Sequence, residues 1–127
     1  MQVALVGVMV GLADLVSVYA FKNTVCRYRP CHNVTYGQLV HIVFEHKGGM
    51  FGFVSSHAVN FMTWTVLVFW FLRQKTRSKW LWAMFLIPLI VGYTRIYLGV
   101  HYPGDVAAGF AVGGVMGLLG ILIWKRL

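Results

Sequence analysis

Four apolar runs leave this chain few ways to fold. Residues 2–21, 57–72, 80–94 and 106–124 carry a single charged side chain between them, Asp14. At about 1.5 Å per residue each is near the length at which a helix crosses a hydrocarbon layer ~30 Å thick. With 59% hydrophobic and 11% charged residues in 127, and a mean hydropathy of +0.72, the chain is too apolar for a soluble domain. The expectation is one membrane domain, residues 1–127, all-α, a polytopic bundle of about four transmembrane helices.

Local signals refine the four runs. Val18 and Ala20 before Phe21 resemble a signal-peptidase site, but the basic start is missing and the apolar stretch is overlong, so a helix is read instead. Asp14 within it is read as protonated or hydrogen-bonded to a neighbouring helix. Ser55 or Ser56 suits the N-cap of the second helix. Pro88 is expected to kink the third, and Pro103 fits the first turn of the fourth. Gly109, Gly113 and Gly117, four residues apart, make a small-residue face for close helix packing, open to self-association.

Charge orients the bundle. Eleven Lys and Arg stand against Asp14, Glu45 and Asp105, for a net charge of +8. They are divided among the segments flanking the helices, which argues against a nucleic-acid partner. The basic 73–79 loop and the Lys125-Arg126 tail mark the inner side, so the connections 22–56 and 95–105 face outward. Lys22, Arg27, Arg29, Lys47 and Arg95 then lie outside against the usual bias, and anion binding is a use for them.

Three outward segments supply a reaction centre. The first gives Lys22 and Arg29, the second Ser55, Ser56 and His57 at a helix start, the third Arg95, His101 and Asp105. Amides at a helix N-terminus suit phosphate, and the cations neutralise a phosphoryl group in transit. A histidine oriented by a carboxylate can attack phosphorus while a second histidine protonates the leaving oxygen. Residue chemistry alone does not decide which histidine attacks.

These segments resemble the three-part signature of the type 2 phosphatidic acid phosphatases, the PAP2 superfamily: K-x6-RP, PSGH and SR-x5-H-x3-D. Lys22 to Pro30 matches the first completely. Val54-Ser55-Ser56-His57 matches the second with Val for Pro and Ser for Gly, and Thr94-Arg95 through His101 to Asp105 matches the third with Thr for Ser. The resemblance implies that His101 is the nucleophile, Asp105 its orienting partner and His57 the general acid and then base. It also implies that Lys22, Arg29, Ser55, the amide of Ser56 and Arg95 hold the phosphoryl oxygens. Ser56 in place of Gly bears on how closely the backbone approaches phosphate. Family members commonly have six transmembrane helices, with more than one before the first motif, so a shortened member is expected.

The expected activity is metal-independent hydrolysis of a membrane lipid phosphate or diphosphate through a phosphohistidine at the outer face of a plasma membrane, bacterial by expectation. Undecaprenyl diphosphate, phosphatidic acid, phosphatidylglycerol phosphate and lipid A are all open as substrates. No cofactor is expected, and the few carboxylates do not furnish a two-metal site. His32, His41 and His46 are read as solvated loop residues and Glu45–Lys47 as an exposed pair. Cys26 and Cys31 are open to one bridge if their loop lies outside the cytoplasm. The alternatives are a weakly active PAP2-like remnant that binds lipid or assembles with other helices, and a haloperoxidase sharing the three motifs.

Overall fold

The computed structural model describes residues 1–42 and 48–127; Glu45, His46 and Lys47 lie outside the described residues. Among those described, the architecture is all-helical, with one isolated antiparallel bridge, Tyr28–Phe51, outside the helices. Helix α1 (Gln2–Val16) continues without a break through a π-helical turn, Ser17–Lys22, into the short α2 (Asn23–Val25), giving a 24-residue rod. The rod ends where Cys26 adopts a left-handed conformation, φ 49°.

Helix α3 (Ser56–Arg73) starts at the expected N-cap, with Ser55 Oγ accepting from the Ala58 amide at 3.5 Å. It packs against α1, α4 (Leu86–Tyr97) and α5 (Pro103–Trp124), and so forms the middle of the bundle. Thr63 and Asn60 find partners there, while Thr65 Oγ1 and Asn60 Oδ1 are buried with no hydrogen-bond partner among the described residues. Thr63 Oγ1 donates to Val59 O at 2.9 Å and to Gly113 O of α5 at 3.1 Å, and Asn60 Nδ2 donates to Asp14 Oδ1 of α1 at 2.9 Å. Asp14 thus has the neighbouring-helix partner the sequence suggested.

The glycine stripe of α5 explains the closeness of α3 and α5. A Cβ at Gly113 would stand 2.4 Å from Val59 O, and one at Gly117 2.7 Å from Val66 Cβ. The face expected to be open to self-association is therefore occupied within the chain by α3. Two apolar clusters complete the core: Met9, Leu67, Phe71 and Ile121 toward one end, and Ala13, Val54 and Val59 nearer the start of α3.

The third apolar run differs from expectation. Lys79–Phe85 is 3-10 helix, and the α-helix begins only at Leu86, so Pro88 lies in the first turn of the α-helical part, just after the change of helix type. Among the described residues, three helices can cross a membrane by length and hydropathy: Gln2–Val25, Lys79–Tyr97 and Pro103–Trp124. The fourth expected span, α3, has 18 residues but carries Ser56, His57, Asn60, Thr63 and Thr65, which suit a helix packed among the others.

Candidate active site

The first segment enters from the end of α1. The π turn brings Ser17, fully buried, and Lys22 against the start of α3. Lys22 Nζ donates to Ser56 Oγ at 2.6 Å, Ser56 Oγ and Ser17 Oγ lie 2.6 Å apart, and Ser17 Oγ donates to Asp14 O at 2.8 Å. An ammonium only donates, and the Ser17 proton is committed to Asp14 O, so the Ser56 hydroxyl donates to Ser17. The serine standing where the signature has glycine therefore holds the Lys22 ammonium through its side chain.

The segment then turns back beside residues 50–52. The Arg29 amide donates to Met50 O at 3.0 Å and the Gly52 amide to Arg27 O at 2.9 Å, on either side of the Tyr28–Phe51 bridge. Arg29 Nε donates to Phe51 O at 3.3 Å. Burial lowers the Arg29 pKa, with Cys31 and Asp105 opposing and Arg95 adding, yet a guanidinium keeps its charge. Gly52 is the floor of this strap. A Cβ there would lie 3.0 Å from Arg29 Cγ, 3.4 Å from Asp105 Oδ2 and 3.5 Å from His101 Nδ1, so bare backbone is what fits.

The third segment is set by the reversal after α4. Gly99, at φ +70°, ends the helix, and a Cβ there would meet Val40 Cγ1 at 2.7 Å. The turn delivers His101, 3% exposed, beside the first turn of α5, where Pro103 opens the helix and Asp105 is fully buried. Asp105 Oδ2 accepts the Tyr102 amide at 2.8 Å, and Oδ1 accepts Nη2 of Arg27. His101 Nδ1 lies 3.6 Å from Asp105 Oδ2. That exceeds a hydrogen bond, and Nδ1 is a buried atom with no hydrogen-bond partner among the described residues, so the carboxylate acts on the ring through its charge. Burial pushes the His101 pKa below the usual 6.5; Asp105 opposes, and the charges of Arg29 and Lys22 add to the lowering.

The second segment is sewn to the third by main chain, the Ser55 amide donating to Asp105 O at 3.1 Å. His57, exposed in the first turn of α3, stands within electrostatic reach of Arg95, His101, Lys22 and Arg29. Arg95, in the last turn of α4, donates from Nε to Thr94 Oγ1 at 3.3 Å and joins the group by charge. The eight residues singled out in the sequence thus share one neighbourhood, drawn from the ends of α1, α3, α4 and α5.

Three further residues belong to it. Ser17 closes the chain behind Lys22, Gly52 lies against His101 and Asp105, and Arg27 pairs with Asp105 while its guanidinium carbon sits 4.9 Å from the Phe53 ring centre and 5.3 Å from that of Tyr102. Arg27 was visible in the sequence as one of the outward cations; nothing marked Ser17 or Gly52. Cys26, exposed, and Cys31, buried, are not joined by a disulfide. His32 Nε2 lies 3.3 Å from Gly48 O, and His41 is exposed.

The PAP2 superfamily matches residues 2–127. The chain is 32% identical over 106 residues to a lipid A 4'-phosphatase of Porphyromonas gingivalis, covering 84% of this chain and 44% of that protein. It is 34% identical over 128 residues to a lipid A 4'-phosphatase of Bacteroides thetaiotaomicron, covering 98% and 55%. It is 31% identical over 105 residues to an undecaprenyl-diphosphatase of Sulfolobus acidocaldarius, covering 80% and 46%. The chain spans about half the length of these relatives. No solved structure matches it.

Proposed function

The chain belongs to the PAP2 superfamily, and from that premise we propose that it is a membrane lipid phosphatase working through a phosphohistidine at His101. The observation that carries the reading is the setting of that imidazole. It is buried, with Nδ1 facing a carboxylate that two other donors already hold, and Lys22, Arg29 and His57 gather around it. With Nδ1 turned to Asp105, Nε2 is the atom left to attack.

In the first step Nε2 bonds to phosphorus as the bond from phosphorus to the lipid oxygen, or to the bridging oxygen of a diphosphate, breaks. His57 gives its proton to the departing oxygen. Lys22, Arg29 and Arg95, with the amides opening α3, balance the charge on the phosphoryl oxygens. In the second step water attacks the phosphohistidine, His57 accepts its proton, and the phosphorus–nitrogen bond breaks to release phosphate and restore His101.

An apolar groove of about 350 Å³ between α1, α3 and α4, lined by Val10, Asn60, Phe61, Trp64 and Ile87, supports a lipid substrate. Asn60 is one helical turn along α3 from Ser56, so a hydrocarbon tail in the groove lies in the bilayer with its phosphate at the end of the bundle. Lipid A heads the substrate panel because four matched relatives are named for it, followed by undecaprenyl diphosphate, phosphatidic acid and phosphatidylglycerol phosphate. The site is read as facing outward from an inner membrane, on the distribution of basic loops.

The test is phosphate release by the purified chain in detergent across that panel, with His101→Ala and His57→Ala alongside. Wild type is expected to turn over at least one lipid and both variants to lose more than about 100-fold in kcat. Equal, slow release by wild type and His101→Ala would sink the reading. Chelation is expected to leave the rate unchanged; loss restored by a divalent ion would contradict the metal-independent mechanism.

A further inference from the structure

Asp105 carries two demands that conflict. It must keep a full charge while buried, and it must orient an imidazole that has to remain neutral to attack. A lone buried carboxylate beside a histidine satisfies neither, because the pair lowers its energy by moving a proton onto the ring. The structure holds a third group at this point. Arg27 Nη2 pairs with Oδ1 of Asp105, the Tyr102 amide takes Oδ2 at 2.8 Å, and His101 stands off at 3.6 Å from Oδ2. The guanidinium lies against the rings of Phe53 and Tyr102, and its main-chain oxygen is fixed by the Gly52 amide at 2.9 Å. Its side chain remains 43% exposed while Asp105 is fully buried.

We propose that Arg27 is a positioning residue: it compensates the charge of Asp105, so that the carboxylate orients His101 without drawing a proton from solvent onto the ring. This rests on the reading of His101 as the nucleophile. Arg27 does not hold phosphate in this assignment, in contrast to Arg29 two residues on. The groups facing His101 are Lys22 from the end of α1, Arg29 and Gly52 from the strap, His57 from α3 and Asp105 from α5. Of these, Asp105 alone favours the protonated ring. Removing Arg27 strips the compensation from the one facing group whose charge stabilises the protonated ring.

The experiment reads the ring directly. The full chain in detergent, labelled at histidine nitrogen, is titrated by NMR as wild type, Arg27→Met and Arg27→Lys, with His101→Gln to assign the signal and circular dichroism to confirm equal helix content. The His101 titration is expected to move up by about one pH unit in Arg27→Met, and by less than half as much in Arg27→Lys, which keeps the cation. An unmoved titration in Arg27→Met, or an equal shift in both variants, overturns the proposal. Kinetics on any lipid that wild type hydrolyses add a second reading: at a pH below the shifted titration kcat falls by up to about tenfold in Arg27→Met with KM within about twofold, and the loss fades as the pH rises, whereas a rise in KM at unchanged kcat would make Arg27 a phosphate ligand and overturn the assignment. If wild type releases no phosphate across the panel, the phosphatase reading fails, and the titration still decides the role of Arg27.

Discussion

At the scale of single residues, the proposed mechanism ties the pH response to His101. Burial, reinforced by Arg29 and Lys22, holds its pKa below 6.5 against the pull of Asp105, and in that mechanism the attacking form is the neutral ring. The sign follows. As the pH falls through 6.5 the ring stays neutral, so kcat/KM should persist and decline only further into acid; an acid limb centred above 6.5 contradicts this. The same group contributes stability fully above 6.5 and loses it as pH falls toward the folded pKa, because the unfolded chain binds the proton more readily. Ser56 offers a second test. It anchors Lys22 at 2.6 Å, and a bond to a charged donor is worth about 1.5–3 kcal/mol, so Ser56→Ala should raise KM about tenfold or more with a smaller change in kcat. An unchanged KM would remove Ser56 from the anchoring of Lys22. The eight site residues were legible because each motif carries its own spacing. Ser17 and Gly52 were not, and Arg27 was legible as an outward cation but not as the partner of Asp105, since the partners Ser56, His101 and Asp105 are 39, 49 and 78 positions away and no local pattern links them.

Elements show where periodicity suffices. The starts of α3 and α5 follow from a serine cap and a first-turn proline, and the structure has both. The interruption at Phe85 and Leu86 was invisible, since the run from Trp80 to Thr94 is uniformly apolar and 3-10 helix has no composition of its own. The glycines of α5 announced close packing but not the partner. Gly113 and Gly114 separate the effects cleanly, because a Cβ at Gly113 meets Val59 O at 2.4 Å while one at Gly114 meets nothing within 4 Å. Gly113→Ala is expected to destabilise by about 1–3 kcal/mol through overpacking, and Gly114→Ala to be neutral or to stabilise by up to about 1 kcal/mol through helix propensity. Thermal unfolding of the two variants in the same detergent checks the pair, and similar melting temperatures would mean that α5 does not press on α3 as described.

For the whole molecule, composition alone indicated an integral membrane protein, and among the described residues three helices have the length and hydropathy to span a bilayer. What composition could not rank was the helices themselves. Asn60, Thr63 and Thr65 lower the apolarity of α3 because it meets protein on several sides, while Val3, Val8, Leu12 and Leu15 of α1 and Leu118 and Leu122 of α5 are exposed. Orientation is testable with residues already in place. Cys26 is exposed next to the site and Cys31 is buried, so a membrane-impermeant maleimide applied to intact cells should label one cysteine, at Cys26. Labelling only after the membrane is opened would reverse the proposed topology. The seam between the second and third motifs carries a different lesson. It is a bond from the Ser55 amide to the Asp105 carbonyl, made by groups that every amino acid except proline at the first position possesses. The frame can therefore outlive its chemistry: a descendant that had exchanged both side chains would keep the same outline, and only a reaction in a test tube would tell it from its ancestor.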